Sequence, residues 1–229
     1  MTEQIDAGLV AEQIAESGEQ SAPDASRQIG QARRRKEDAK LITGQTRWTD
    51  NISLPGLLHM AILRSPLAHA RINSVDVSGA LRRPGVIAVY SGAELAGELG
   101  NLPCAWPVTA DMVHPDHPPL ATEEVRYVGD AVAVVIARGR HEAADALEAI
   151  EVDYEPLPPV LDMEEALKDE DLVHSDKGTN KSFLWPFDGG DYDAAKAKAE
   201  VVLKRRFIQQ RLIPTAIEPR CVVVEPIAA

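Results

Sequence analysis

Seven consecutive residues, Ala131-Val132-Ala133-Val134-Val135-Ile136-Ala137, are all apolar, with Gly129-Asp130 before them and Arg138-Gly139 after. A run this short and this rich in β-branched residues reads as a strand. Side chains alternate between the two faces of a strand, so this one presents apolar groups to both and has to be covered on both. It is placed at the centre of a sheet, with packed material on each side. Aromatic residues make up only 4% of the chain, so the covering layers are built mainly from Val, Ile, Leu and Ala.

The flanking sequence supplies those layers. Residues 57–63 form a short apolar strand ending at Arg64-Ser65-Pro66, where the proline biases Ser65 toward extended backbone. Ile72, Val75 and Val77 mark a second strand. Ser78 is placed as the cap of a short helix through Arg83, stopped by Pro84-Gly85. Residues 86–90 read as a buried strand. Ser91 and Glu94 have capping-box spacing and predict a helix over 92–99. Residues 100–119 are rich in proline and without period, a long surface loop of the kind that commonly carries function or meets another element. Residues 125–127 and a Gly129-Asp130 turn lead into the central strand. An Ala-rich helix over 141–149 turns Ala143, Ala144 and Leu147 to the sheet, and residues 150–154 form the next strand, closed by Pro156, Pro158 and Pro159. Strands and helices mixed in this way read as α/β or α+β, and the chain is taken as α+β with the family resemblance given below.

Both ends differ in character. Residues 1–40 form a tail: no Lys or Arg occurs before Arg27, and a basic run, Arg33-Arg34-Arg35-Lys36, follows. Such a segment buries too little apolar surface to offset the entropy of ordering. Order is expected from Leu41, with a turn at Thr43-Gly44-Gln45. Residues 41–168 make the main domain and 169–190 a polar linker. Asp191 caps a helix over 192–199, and strands are expected at 201–211 and 221–224. Those strands find no later partner, and a two-stranded remnant is only marginally stable. Residues 191–229 are therefore expected to be the truncated start of a second domain, with apolar side chains left exposed between Val201 and Val224.

Bulk properties exclude several functions. A net charge of −12 offers no dense basic footprint for nucleic acid. No stretch approaches the roughly 20 apolar residues of a membrane span, and no signal peptide is evident, so a cytoplasmic location is expected. The cysteines, Cys104 and Cys221, stand far apart, and no CxxC or Cys/His cluster suggests zinc or iron–sulfur. His114-Pro115-Asp116-His117 gathers two imidazoles and a carboxylate, but lacks further ligands at metal-site spacing. Glu151, Asp153 and Glu155 share one strand face; without a cleft to separate their pKa values they read as the solvated side of an edge strand. Ser65, His69 and Asp76 are triad residue types without a nucleophile-elbow pattern. Gly92, Gly97 and Gly100 do not make the dinucleotide fingerprint.

One family resemblance runs through these segments in order. The run Ile62-Leu63-Arg64-Ser65-Pro66-Leu67-Ala68-His69-Ala70-Arg71-Ile72 resembles the strand and turn that mark the a/b hammerhead domain of aldehyde oxidases and xanthine dehydrogenases. Asp76-Val77-Ser78-Gly79-Ala80, Pro84-Gly85-Val86-Ile87-Ala88-Val89, Val125-Arg126-Tyr127-Val128-Gly129-Asp130 and Val152-Asp153-Tyr154-Glu155-Pro156-Leu157-Pro158 are similar to its later motifs. Downstream, Gly190-Asp191-Tyr192-Asp193 and the stretch from Gln209 to Arg220 resemble the start of the following molybdopterin-binding domain. The stretch from Gln209 to Arg220 is most similar to its carbon monoxide dehydrogenase-like branch.

The resemblance implies the N-terminal part of the large subunit of a molybdenum hydroxylase. It implies a molybdenum-molybdopterin dinucleotide in the complete subunit, with [2Fe–2S] clusters and FAD on partner subunits. The family's cofactor-binding loops and catalytic glutamate fall beyond residue 229, so no catalytic, cofactor-binding or metal residue carries over to this chain. The motifs that are present have structural readings: Pro66, Gly85, Gly129 and Pro158 set turns, while Arg64, Arg71 and Arg126 tie strands to loops through charged hydrogen bonds. The part is expected to serve packing and assembly and to be inactive alone. A free-standing hammerhead interaction module is the alternative, and a small metal-binding protein using His114 and His117 a third.

Overall fold

In the computed structural model, which describes residues 34–104, 106–213, 215–216 and 218–226, six strands and six helices follow in the order α1 (Asp38–Ile42), β1 (His59–Arg64), β2 (Ala70–Asp76), α2 (Ser78–Leu81), β3 (Val86–Ser91), α3 (Gly92–Leu95), β4 (Glu124–Val125), β5 (Ala131–Ala137), α4 (Arg140–Leu147), β6 (Glu151–Pro156), α5 (Met163–Ala166) and α6 (Tyr192–Lys198). Two compact units divide the chain. Ser53–Leu212 contains both sheets; the described part of the other, Met1–Ile52 with Ile213–Ala229, holds α1 and a 3-10 turn at Thr49–Asn51. Most of the expected tail, residues 1–33, lies outside the described residues.

The central strand is where its composition requires it. One sheet has the order β1-β5-β3 and the other β4-β2-β6, and every pairing is antiparallel. Ala133, Val135 and Ala137 point into a core closed by Ala143 and Ala146 of α4 and by Ala80 of α2. Val132 points the other way, into a second core with Ala70, Ala121 and Val125. The strand is apolar on both faces because it belongs to two cores. Val75 and Val152 pack against both and join them. Val125, Val132 and Val135 are fully buried, each such valine stabilising the fold by about 1.5–3 kcal/mol.

Several elements differ from expectation for local reasons. The Ser78 hydroxyl does not cap α2. The preceding Asp76 does related work, its Oδ1 accepting the Ser78 amide at 2.8 Å, because a short carboxylate two residues ahead reaches that donor directly. β3 is an edge strand, paired with β5 alone; Val89 is buried in the first core, while Ile87 and Tyr90, which join neither core, are exposed instead of buried. The capping box at Ser91 and Glu94 forms in full, yet the helix ends at Leu95: Ala96 turns extended and Gly97 takes φ +91. In α4 the buried positions are Ala143 and Ala146, with Leu147 packed beside them, and Ala144 faces solvent. The helical period selects positions three and four apart.

The stretches 201–211 and 221–224 form no strands among the described residues. Residues 201–211 alternate only in part, and a ladder needs a neighbour to receive its amides and carbonyls; no strand pairing is made in either stretch. Their side chains stand in solvent as expected: Val201, Leu203, Phe207, Ile208, Val222 and Val224 are all largely exposed.

Candidate functional site

The motifs found along the sequence converge on one corner of the β4-β2-β6 sheet. Ser65 and the Gly129-Asp130 turn clasp each other. The Ser65 amide donates to the Asp130 carbonyl at 2.8 Å, and the Gly129 amide to the Ser65 carbonyl at 2.8 Å. Gly129, at φ +95, makes the turn possible. Arg64 Nη1 donates to the Gly129 carbonyl at 2.8 Å, adding a charged bond to the clasp. The third motif arrives through His69. Its Nδ1 lies 2.7 Å from the Pro158 carbonyl, and its own carbonyl accepts the Leu157 amide at 3.0 Å.

Arg126 extends the corner outward. Its Nη2 pairs with Glu124 Oε2 at 3.1 Å, and its Nε donates to the carbonyl of Val173 at 3.1 Å. Glu124 Oε2 also lies 4.0 Å from His69 Nε2, a buried nitrogen without a hydrogen-bond partner. His174, next to the carbonyl that Arg126 holds, has its pKa lowered by burial first and by the Arg126 charge second. Tyr154 and Tyr127 are pushed up, mainly by burial.

The segment expected as a linker is internally organised. Asn180 Nδ2 donates to the carbonyls of Ala166 at 3.0 Å and Asp171 at 2.7 Å, while its Oδ1 accepts the Val173 amide at 2.9 Å. Asp169 accepts the Asn180 amide at 2.7 Å and the Thr179 hydroxyl at 2.9 Å, which hold its carboxyl below the usual range. Asp169 itself sits at φ +57, a conformation that Asp tolerates better than most residues. Nothing in the sequence marked Asn180 as the centre of this loop. Its one visible signal was an amide able to serve three backbone groups amid otherwise solvating residues.

The remaining candidates separate. Ser65 Oγ is closed in a turn with the amide and carbonyl of Leu67, both at 3.0 Å, and Asp76 is committed to Ser78. With His69 bonded to Pro158, the three triad residue types serve three different local structures. Glu151, Asp153 and Glu155 lie exposed on β6, which pairs with β2 alone, so they are the solvated side of an edge strand. Arg71 pairs with Glu155 at 2.7 Å.

His114, Asp116 and His117 line an open cavity of about 630 Å³ in the 100–119 loop, with Leu102, Cys104 and Met112. Asp116 is held there by Asn101 Nδ2 at 2.9 Å. The loop is pinned by reciprocal bonds between Val113 and Ser182. Among the described residues no group of three or more His, Cys, Asp or Glu could hold a metal. Both cysteines are free and exposed, and among the described residues no helix is long and apolar enough to cross a membrane.

The corner is a clasp of strands and turns closed by backbone hydrogen bonds. Residues 43–158 match the model of the aldehyde oxidase and xanthine dehydrogenase a/b hammerhead domain. The chain belongs to that family. It is 37% identical, over 93% of its length, to the 6-hydroxypseudooxynicotine dehydrogenase complex subunit gamma of Paenarthrobacter nicotinovorans, of which it spans 27%. To the carbon monoxide dehydrogenase large chain of Afipia carboxidovorans it is 38% identical over 83% of its length, spanning 24% of that protein. Among solved structures, quinoline 2-oxidoreductase from Pseudomonas putida 86 superposes with a TM-score of 0.56 at 42% identity, over 66% of this chain and 19% of that one. The hammerhead chain thus spans about a quarter of the length of the curated relatives it matches.

Proposed function

We propose that this chain is the N-terminal hammerhead part of a molybdenum hydroxylase large subunit, carbon monoxide dehydrogenase-like in branch, with a structural and assembly role and no catalytic competence alone. The contrast between two halves of the chain carries the reading. Residues 59–156 hold nearly all of the two buried cores, although Trp106 and Val128 in their loops also stand exposed. From Phe183 to Leu212, by contrast, Leu184, Trp185, Phe187, Leu203, Phe207 and Leu212 are each at least 68% exposed. Apolar surface on that scale marks a contact with further protein.

On this reading residues 41–168 are the hammerhead, 169–190 connect it onward, and 191–229 begin the molybdopterin-binding domain. The partners are the rest of the large subunit and the iron–sulfur and flavin subunits of a cytoplasmic complex. A molybdenum-molybdopterin dinucleotide would supply the hydroxylation chemistry of that complex. The described residues present no donor cluster for a metal, and no step of that chemistry is assigned to them. Their part is to hold the subunit's entry strands in register.

Recovery of the tagged chain from its own host, followed by molybdenum and iron analysis, tests the reading. Both metals arriving with larger polypeptides is the expected result. A chain that comes down alone and metal-free would overturn it in favour of a free-standing hammerhead module.

A further inference from the structure

His69 has one ring nitrogen committed and the other facing a charge. Pro158 offers only a carbonyl to His69 Nδ1, 2.7 Å away, so Nδ1 carries the ring's hydrogen and donates it. In the neutral ring Nε2 is then a bare acceptor. It is buried, has no hydrogen-bond partner among the described residues, and lies 4.0 Å from Glu124 Oε2, with only 9% of the His69 side chain exposed. A lone pair turned toward a carboxylate is a repulsive contact, and one added proton makes it attractive. Glu124 Oε2 is also the oxygen that pairs with Arg126 Nη2 at 3.1 Å. Arg126 in turn holds the 169–182 loop to the sheet through Nε and the Val173 carbonyl, 3.1 Å away. That loop holds the next one. Ser182 and Val113 exchange two hydrogen bonds, and Lys177 Nζ, paired with Asp176, lies 3.8 Å from Asp116. A buried imidazole is thereby linked, through one carboxylate and one guanidinium, to two loops.

We propose that His69 is a proton-operated release for the 169–182 loop. A proton on Nε2 draws Glu124 Oε2 toward the imidazolium and sets a second cation against Arg126 for the same oxygen. The guanidinium loosens from the carboxylate, and its bond to the Val173 carbonyl weakens with it. The charges around the ring favour this direction. β4 brings Glu124, and the turn after it brings Arg126 and Asp130, whose carboxylate is engaged by the Arg126 amide at 3.0 Å. The end of β1 brings Arg64, bonded to the Gly129 carbonyl. The exit of β6 brings the uncharged Leu157 and Pro158, with Glu155 already paired to Arg71. The loop itself adds His174, Asp176 and Lys177, the last two paired at 2.8 Å. His174, held below its ordinary value by burial first and by the Arg126 charge second, contributes a further positive charge in acid. In acid, one carboxylate therefore answers to Arg126 and two imidazolium rings. The buried residues of the two cores are aliphatic and do not titrate, so the release is confined to the loops.

Amide exchange of the full chain, corrected for the intrinsic rate at each pH, tests the release between about pH 7.5 and about pH 5.5. The background is His174→Gln, which removes the other imidazole of the loop. Residues 169–182 and 111–114 are expected to lose protection about tenfold in acid, the worth of one charged hydrogen bond, while both sheets keep theirs. His69→Asn, added to that background, keeps a donor for the Pro158 carbonyl and deletes Nε2. It is expected to abolish the pH dependence of the loop. A loop that stays closed in acid, a pH dependence that survives His69→Asn, or an equal loss of protection across the sheets would each overturn the proposal. Nitrogen NMR of the wild-type imidazoles gives a readout that needs no variant to fold. His69 Nε2 is expected to take up its proton over the interval in which the loop opens, and a nitrogen that stays bare throughout that interval would overturn the proposal as well.

Discussion

Gly92 opens α3 beside the second core, and replacing it with alanine sets a defined clash. A Cβ built there lies 2.1 Å from the carbonyl oxygen of Ala121, 2.8 Å from its carbon and 3.1 Å from the carbonyl oxygen of Leu120. All three are backbone atoms, so no side chain can rotate aside. Relief requires Ala121 to move by about an ångström, the difference between 2.1 Å and an ordinary contact of about 3.4 Å being too large for local adjustment. Ala121 resists, because it is buried and its amide donates to the Ala131 carbonyl of the central strand at 2.7 Å. Overpacking costs about 1–3 kcal/mol, and a weakened buried hydrogen bond adds about 1 kcal/mol. Better helix propensity returns at most about 1 kcal/mol. A net loss of about 2–3 kcal/mol follows, read as a lower urea midpoint at unchanged slope. Gly97→Ala is the control. It has open space around its Cβ position but φ +91, so only backbone strain of about 1–2 kcal/mol opposes it. If Gly92→Ala cost no more than about 0.5 kcal/mol, the close approach would not be what demands glycine, and the reasoning would be refuted.

Arg126→Met keeps the aliphatic stem but removes the tie to the Val173 carbonyl, and it leaves Glu124 without its cation; a loss of about 1–3 kcal/mol is expected, with faster amide exchange confined to the 169–182 loop. Asn180→Ala withdraws three hydrogen bonds at once and should open the same loop to limited proteolysis while leaving the melting of the two sheets close to wild type. His174 has a folded pKa below its ordinary 6.5, so the unfolded chain binds more protons between the two values. Stability is therefore level above about 6.5 and falls as pH drops below it toward the folded value, a slope that His174→Gln should remove from urea titrations. Glu155→Gln breaks an ion pair whose partners are both about half exposed and should cost under about 1 kcal/mol.

The parts of the fold that could be read from the sequence are those whose cause is local or doubly determined. The run at 131–137 had to be central because both of its faces are apolar, and the capping box at Ser91 and Glu94 is a contact between residues three apart. Helix length was harder to read: α3 stops at Leu95 because Ala96 leaves the helical conformation and Gly97 takes φ +91. Edge position was also hidden, since β3 carries the composition of a buried strand yet pairs with β5 alone and buries only Val89 and Ser91. The family motifs were visible as strings, but their purpose was not. Ser65, Gly129 and Asp130 carry no common chemistry, and only the long-range pairing of their backbones explains why they occur in these motifs.

The two stretches after residue 168 show how polar and apolar sequence differ in what they can satisfy from within. Residues 169–182 looked like a linker, yet they close on themselves, because Asp169 and Asn180 satisfy the loop's backbone groups from within. A polar segment can be self-sufficient when its donors and acceptors are matched locally. Residues 201–211 looked like a strand, yet remain without a ladder, because extended backbone satisfies its hydrogen bonds only through a neighbour. Burying Phe207 or Leu203 would contribute about 1.5–3 kcal/mol each, but that gain needs a partner surface. Strand propensity in such a segment therefore states a demand that the described residues leave unmet, and the side chains from Leu184 to Leu212 stay exposed for that reason.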